Sequence, residues 1–539
     1  MDAAPGADAE IEWQLDAQDL AVVRRWVEKA AADGANGLTI TPRQTINQVD
    51  TYLDTEDRRL DRAGYSVRLR RPRRGPTEAT LKSLAGARPD ALRIRRELAE
   101  EVELDDAVGL ASTDGPVGRR VRALVGARRL VPLFDLQTRR RVFELAANGV
   151  PSGELLLDET SIREPAGRLL GRLRRVEVEA PETAVEAVAP LVESLRRACG
   201  LQPAALSKYE SALAASGRGR AEPEELGRAT IEPTDAIGQV ALANLRRQFG
   251  ALLAHEPGTR LGEDIEELHD MRVASRRLRA AVALFEDVLP AEAARLRPEL
   301  AWLGRTIGAV RDLDVQLAQL EEWLEEVPEP DREPLARLRA LLTEERARAR
   351  ATMLEALDSK RYERLIRRFG AMLRSRSGAR TPPARGAAPE LVERRQAAVR
   401  KAIKRIDPDA DATEYHRLRI ACKRFRYALE FLSDIYPDET KRLVKQAVAL
   451  QDLLGDYQDA HVAIARLRDL ATAGHAKLEP ATVFAMGEVA QRYRSAMEEI
   501  RGRVTDTCSP LVGKRWKRFR KRMEAARHAV PPSPQPLTG

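Results

Sequence analysis

The spacing of apolar and polar residues changes near residue 215 of this 539-residue chain. Before that point, short runs alternate with a period of two, which is typical of β-strands that bury one face. Eight such runs occur, at 10–15, 45–55, 65–71, 78–84, 94–104, 139–147, 153–159 and 174–180. Helical patterns lie between them near 17–33, 116–127 and 183–199. The first part of the chain is therefore predicted to be antiparallel β structure with flanking helices.

The pattern after residue 215 is helical. A stretch rich in Gly, Pro and charge at 216–233 predicts a linker, and a second such stretch occurs at 376–390. Between and after them, apolar residues recur at helical spacing. The predicted domains are 8–215, then an all-α domain at 234–528 with halves of about 234–375 and 391–528, and then a disordered tail at 529–539.

A basic segment headed by histidine occurs twice in the helical part. His416 follows His269 by 147 residues. The motif GDYQDAHV at Gly455 follows GAVRDLDV at Gly308 by the same interval. Because two separate patches share one offset, the sequence predicts a duplicated helical unit.

Each basic segment has two faces when it is drawn as a helix. At about 100° per residue, four cationic residues fall within roughly 80°, and the apolar residues form a separate face. The cationic residues are His269, Arg272, Arg276 and Arg279 in the first copy and His416, Arg419, Lys423 and Arg426 in the second, with Arg277 and Arg424 on the other flank. Stacked like charges repel one another. Their repetition favours a polyanion groove over an ordinary solvated face.

The two copies, each followed by Gly-x-x-(Arg/Gln)-Asp, resemble the CHAD domain over roughly residues 230–528. The resemblance implies a pseudo-twofold pair of helical bundles that binds inorganic polyphosphate, and it adds Arg311 to the cationic residues. The second copy departs from the pattern, because Gln458 replaces Arg311 and His461 replaces Asp314. The basic surface is therefore expected to be asymmetric.

Several predicted strands carry charged side chains on one face. Because side chains alternate along a strand, Glu10, Glu12 and Gln14 share a face, as do Arg68 and Arg70. The residues alone favour an open sheet with these charges in water. A barrel is the alternative, and its interior could hold a divalent cation on the carboxylates and phosphate oxygens on the cations.

The order of the strand motifs resembles the CYTH, or triphosphate tunnel, domain over roughly residues 8–215. The matching segments are YLDT at 52–55, RLR at 68–70, TLK at 80–82, RRE at 95–97, the arginines at 139–141, LLLD at 155–158, EVE at 177–179 and SKY at 207–209. The resemblance implies an eight-stranded antiparallel barrel that binds triphosphate and hydrolyses it with Mg²⁺ or Mn²⁺. It assigns catalysis to Glu10 and Glu12, the metal to Glu10, Glu12, Asp158, Glu177 and Glu179, and phosphate binding to Arg68, Arg70, Lys82, Arg140 and Lys208.

The first family motif, Glu-x-Glu-x-Lys, ends in Gln14 here. An amide can donate a hydrogen bond to phosphate but brings no charge, and a lost charge-assisted contact costs about 1.5–3 kcal/mol. Two hypotheses follow: a metal-dependent triphosphatase that also binds polyphosphate, or a non-catalytic polyphosphate-binding protein with a degenerate tunnel. Nucleic-acid binding through the same cations is a third, less favoured hypothesis.

Composition and the absence of targeting motifs bear on the location and the partners expected for the protein. The net charge is +8 although 32% of residues are charged, so the basic excess is expected in patches. The three cysteines form no CxxC motif, the first residues lack the features of a signal peptide, and apolar runs are too short to span a bilayer. These features favour a cytoplasmic protein with no membrane partner, and they leave the oligomeric state open. In the basic segment 513–523, Trp516 and Phe519 are expected to face a helical core.

Overall fold

The computed structural model describes residues 9–71, 76–84, 91–104, 107–219, 225–326, 329–374, 381–407, 410–472 and 478–528. The chain divides into two compact units, Met1–Glu224 and Glu225–Gly539, with the boundary inside the predicted linker. The predicted tail at 529–539 lies outside the described residues, as do parts of both predicted linkers.

The first unit is an antiparallel barrel, as the family resemblance implied; the open sheet that the residues alone favoured is wrong, because β1 pairs with β5. Within the described residues its strands are β1 Ala9–Asp16, β2 Leu38–Thr55, β3 Tyr65–Arg71, β4 Thr77–Ser83, β5 Leu92–Val102, β6 Leu130–Ala147, β7 Val150–Arg163 and β8 Leu169–Glu179. The strand order is β5-β4-β3-β2-β6-β7-β8-β1, and β1 also pairs with β5, which closes the barrel. A two-residue strand, β9 Gln202–Pro203, pairs with β1. β2, β6, β7 and β8 are longer than the alternating runs from which they were predicted.

Helices cover parts of the barrel and fix which strand face points inward. They are α1 Leu20–Asp33, α2 Arg59–Arg62, α3 Pro116–Val125, α4 Val185–Cys199 and α5 Lys208–Ala215. Ile11, Trp13 and Leu15 of β1 are buried in one apolar cluster with residues of α1 and α4. Because successive side chains alternate, this packing turns the charged positions of β1 into the barrel.

The second unit is helical and duplicated. Its helices are α6 Ile237–Leu261, α7 Ile265–Leu284, α8 Ala291–Glu326, α9 Glu329–Leu357 and α10 Lys360–Leu373, followed by α11 Ala384–Ile403, α12 Ala412–Phe431, α13 Pro437–Thr472, α14 Pro480–Val512 and α15 Lys514–His528. Both ends of α12 follow those of α7 by the 147 residues of the sequence repeat. α11 begins inside the stretch that the sequence predicted as a second linker.

The duplication extends to the signals that start the two basic helices. The Asp264 side chain accepts a hydrogen bond from the Glu266 amide at 2.8 Å, and the Asp411 side chain accepts one from the Glu414 amide at 3.0 Å. A side-chain acceptor at this position satisfies an amide that the helix leaves free. The predicted apolar faces of α7 and α12 are both buried.

The last helix packs through its aromatic residues. Trp516 and Phe519 are buried, and their rings lie 5.7 Å from Phe425 and 5.9 Å from Tyr436, respectively. The apolar side of α15 therefore packs in the helical core, as predicted, and the basic residues lie on its other sides. Among the described residues, no helix combines the length and apolar character needed to cross a bilayer.

Candidate functional site

The barrel interior collects the charged positions of the strands. Arg140 of β6 donates to Asp158 of β7 at 2.8 and 3.0 Å and to Glu177 of β8 at 2.9 Å. Lys208 donates to the same two carboxylates, at 2.8 Å to Glu177. The two cations hold the pKa of Glu177 well below its usual range, although burial alone would raise it. These four predicted residues therefore form one ion-pair cluster.

Lys208 reaches this cluster because of the way α5 begins. The Ser207 hydroxyl accepts from the Glu210 amide at 3.2 Å, and the Glu210 carboxylate accepts from the Ser207 amide at 2.8 Å. This reciprocal pair fixes the first turn of a helix. The next residue, Tyr209, packs its ring 5.4 Å from Tyr52 and 5.9 Å from Phe134. The capping pair and the aromatic contact together hold Lys208 at the charged interior.

A second cluster joins β1 to β4 and β5. Lys82 donates to Glu10 at 2.6 Å and lies 2.8 Å from Glu97. Arg95 forms an ion pair with Glu12 and lies 3.5 Å from Glu10. Burial acts to raise the pKa of Glu10, but Lys82 and Arg95 hold it at about 2. Both predicted catalytic carboxylates are therefore paired with cations.

Three of the predicted metal ligands can reach one point. Glu10, Glu12 and Glu179 each offer a carboxylate oxygen, and these atoms lie within 4.8 Å of one another. Hard divalent cations such as Mg²⁺ prefer oxygen donors of this kind. Asp158 and Glu177 instead contact Arg140 and Lys208, and their assignment as metal ligands stays a prediction.

Gln14 bridges two carboxylates in this interior. Its Nε2 donates to Glu12 at 3.0 Å and to Glu177 at 3.1 Å. Its Oε1 is buried and has no hydrogen-bond partner among the described residues. A buried acceptor without a partner carries a desolvation cost of about 1–3 kcal/mol. The side chain at position 14 therefore acts only as a hydrogen-bond donor. A lysine ammonium at this position would supply donors without leaving an acceptor unpaired.

The remaining predicted phosphate ligands meet an acid that sequence reasoning missed. Arg70 donates to Asp50 of β2 at 2.8 and 3.1 Å, and Arg68 lies 3.6 Å from it. Burial opposes ionisation of Asp50, but the two arginines lower its pKa. Asp50 and Tyr52 are two residues apart, so their side chains share the inward face of β2. This spacing was the sequence signal that could have identified Asp50. Arg95 and Glu97 also point inward, whereas Arg96 is exposed.

The two basic helices of the second unit meet at a cavity of about 590 Å³. Its walls include four predicted residues of α7 and α12, namely His269, Arg272, Arg276 and Arg419, and Arg311 of α8. The Nε atoms of Arg276 and Arg419 are buried without a hydrogen-bond partner in the described part of the chain, and so is His269 Nδ1, which donates or accepts according to its tautomer. Unpaired buried donors such as the two Nε–H groups are costly, so they point to a ligand with acceptor oxygens. We call this cavity the central pocket.

The stripe predicted from the helical wheel does not line the central pocket along its whole length. Arg277 donates to Glu430 at 2.5 Å, and Arg426 donates to the same carboxylate at 2.8 Å. One carboxylate therefore holds both cations. Arg279 and Arg424 are exposed and do not line the pocket. His416 makes a hydrogen bond of 2.6 Å with Gln458, which lines the pocket.

Lys423 lies among the arginines of both copies. Burial and the charges of Arg276, Arg419, Arg272 and Arg426 lower its pKa to about 6. An ammonium group at this position is disfavoured because like charges surround it. Positive charge is therefore so concentrated between the facing helices α7 and α12 that Lys423 loses its proton near neutral pH.

Arg272 reaches the central pocket across a glycine. A Cβ atom on Gly308 of α8 would lie 2.2 Å from Arg272 Nη1, whereas one on Gly455, its counterpart in the repeat, would meet no heavy atom within 4 Å among the described residues. Arg272 Nη2 donates to Asp312 at 2.9 Å. The first glycine of the repeated motif therefore makes room for a pocket cation.

Two family models match the chain. The CYTH domain matches residues 22–212, and the CHAD domain matches residues 243–468. The chain therefore contains a CYTH domain followed by a CHAD domain. The first match begins after β1, so Glu10, Glu12 and Gln14 lie outside it. None of the curated proteins searched matches the chain.

Solved structures resemble each part. The CHAD domain from the plant Ricinus communis is 29% identical, with a TM-score of 0.41, over 57% of this chain and 97% of its own. PptA from Streptomyces chartreusis is 22% identical, with a TM-score of 0.42, over 51% of this chain and 99% of its own. HpAC1 from Hippeastrum, described as having a dominant triphosphatase activity, is 22% identical, with a TM-score of 0.30, over 39% of this chain and 96% of its own.

We predict that Lys423 titrates near pH 6, because burial and the surrounding arginines oppose its charge. NMR of ¹³C-methylated lysines across pH would report this value. The unfolded chain binds a proton that the folded chain lacks, so stability should rise with pH between about 6 and the ordinary lysine value of 10.5. Replacing Arg276 and Arg419 with Gln should raise the pKa. A Lys423 pKa that both substitutions leave unchanged would contradict the clustering.

Proposed function

We propose that the second unit binds inorganic polyphosphate in the central pocket. The observation that carries the proposal is the pair of buried, unpartnered Nε–H donors on Arg276 and Arg419. Arginine suits phosphate because its fork of N–H donors matches two oxygens at once. A chain of phosphates offers these oxygens in sequence and carries more negative charge than the three aspartates that line the pocket, Asp312, Asp456 and Asp459. The family to which this domain belongs is associated with the same ligand.

We propose that the barrel binds triphosphate and hydrolyses it with Mg²⁺ or Mn²⁺. In this proposal Arg68, Arg70, Lys82, Arg140 and Lys208 exchange their carboxylate partners for phosphate oxygens. Glu10, Glu12 and Glu179 would hold the ion, which would neutralise charge that develops on the phosphates. A carboxylate released by this exchange can orient the attacking water. The ion pairs fix these side chains before the substrate arrives, so less freedom is lost on binding.

The alternative is a barrel that binds without efficient hydrolysis. Gln14 favours it, because the position that holds the family's lysine carries no charge here. Nucleic acid remains a weaker alternative for the central pocket. The family's association with polyphosphate and the pocket volume of about 590 Å³ favour a thin, flexible polyanion over a duplex.

Reversing two pocket charges should weaken polyphosphate binding. Arg272→Glu with Arg419→Glu removes two charge-assisted contacts, each worth about 1.5–3 kcal/mol, so the affinity should fall by roughly a hundredfold or more. Isothermal titration with long-chain polyphosphate measures the change, and circular dichroism checks helicity. Arg515→Glu with Arg518→Glu, on exposed positions of α15, is the charge-matched control. An equal loss in both pairs would contradict a site at the central pocket. Displacement of polyphosphate by duplex DNA at equal phosphate concentration would instead contradict the preference for polyphosphate.

The two motif glycines should respond differently to substitution. Gly308→Ala displaces Arg272, so we expect polyphosphate affinity to fall by about tenfold, the value of one charged contact. Gly455→Ala fills open space, and it should leave affinity unchanged while raising stability by about 0.5–1 kcal/mol through helix propensity. Titration and thermal unfolding of the two variants make the comparison. Equal affinities would show that Arg272 does not hold the ligand.

Restoring the family's lysine tests the barrel. Gln14→Lys places an ammonium between Glu12 and Glu177 and removes the unpaired Oε1, so we expect metal-dependent phosphate release from tripolyphosphate to rise by roughly ten- to hundredfold. Phosphate release is measured with and without Mg²⁺ or Mn²⁺. Gln14→Met, which has similar length and no charge, is the control. If the natural chain releases no phosphate and the lysine variant does, the natural barrel is a binding site rather than an enzyme.

A further inference from the structure

The central pocket has an aromatic end that a chain of phosphates does not require. Besides its cations, its lining includes Trp323 of α8 and Tyr493 of α14. Their rings lie 4.8 Å apart in an edge-to-face arrangement, and both are only partly buried. Aromatic rings with an accessible surface provide stacking platforms for nucleobases.

A row of residues along α8 connects the cationic and aromatic ends. Arg311, Val315, Gln319 and Trp323 line the pocket at intervals of four residues, a spacing that forms an inclined ridge along the helix. At 1.5 Å per residue, Arg311 and Trp323 are about 18 Å apart along the axis. The long side chains of Arg311 and Trp323 bring their functional groups closer together than this axial distance. The remaining distance suits an extended nucleoside polyphosphate. The cavity volume of about 590 Å³ lies within the range of small-molecule sites.

The aromatic end breaks the symmetry of the repeat. The position 147 residues after Trp323 is Leu470. Inorganic polyphosphate has identical ends and no apolar part, so it gains nothing from an aromatic residue in one half only. A ligand with a base at one end does. Gln316, Asp456 and Asp459 also line the pocket, and they offer amide and carboxylate partners for a base and a ribose.

We propose that the central pocket binds a purine nucleoside polyphosphate, with its phosphates on the cations of α7 and α12 and its base against Trp323 and Tyr493. A purine is chosen because its larger π-surface stacks more strongly. This inference rests on the proposed function, because it uses the same cations. It adds a specificity that the cations alone cannot provide.

Photolabelling of the full chain with 8-azidoadenosine triphosphate tests the proposal, because peptide mapping separates the pocket from the barrel. We expect label on peptides of α8 or α14, and its loss in the presence of excess ATP. Trp323→Leu, which installs the residue of the other half, should lower the labelling affinity by about tenfold. Trp323→Phe should retain it, and thermal unfolding checks that both variants fold.

Two results would overturn the inference. One is label confined to other peptides, and the other is equal affinity in the Leu and Phe variants, which would make Trp323 a packing residue. Polyphosphate binding is measured on the same samples. If it persists and depends on Arg272 and Arg419 while the label is absent from α8 and α14, only the nucleoside claim fails. If polyphosphate does not bind either, the proposed function fails with it.

Discussion

The approach of α7 to α12 is the constraint on which the helical unit depends. It places Arg272 and Arg276 of one copy beside Arg419 and Lys423 of the other, and the cost appears in the lowered pKa of Lys423 and in buried donors without partners. The apolar faces of the same helices make this cost tolerable, because they are buried in the common core. Packing holds the helices together while their charges oppose it, and a bound polyanion would remove that opposition.

The barrel handles its charge in the opposite way. Each cation named in the candidate site already has a carboxylate partner, as in the contacts of Arg140 and Lys208 with Asp158 and Glu177. Such pairs fix the side chains in place, although their burial carries a desolvation cost, and a bound phosphate would have to compete with them.

Much of this arrangement could be predicted from local rules. Strand alternation placed Glu10 and Glu12 on one face, the family resemblance turned that face into a barrel interior, and one repeat interval located both basic helices. The structure also showed the limits of such rules. A helical wheel gives the direction of Arg279 around its axis but not how far along that axis the pocket extends. Arg279 was therefore grouped with the other cations of the stripe although it does not line the pocket, and its role in binding stays a prediction. Asp50 was missed because its role is to pair with arginines of a neighbouring strand, and that pairing depends on strand register.

A structure of the full chain with tripolyphosphate and Mg²⁺ would locate the ligands of both units in one experiment. We expect phosphates between α7 and α12, within hydrogen-bond distance of Arg272, Arg276 and Arg419, and a second set inside the barrel. Phosphate found only on exposed cations such as those of α15, with the central pocket unchanged, would contradict this expectation.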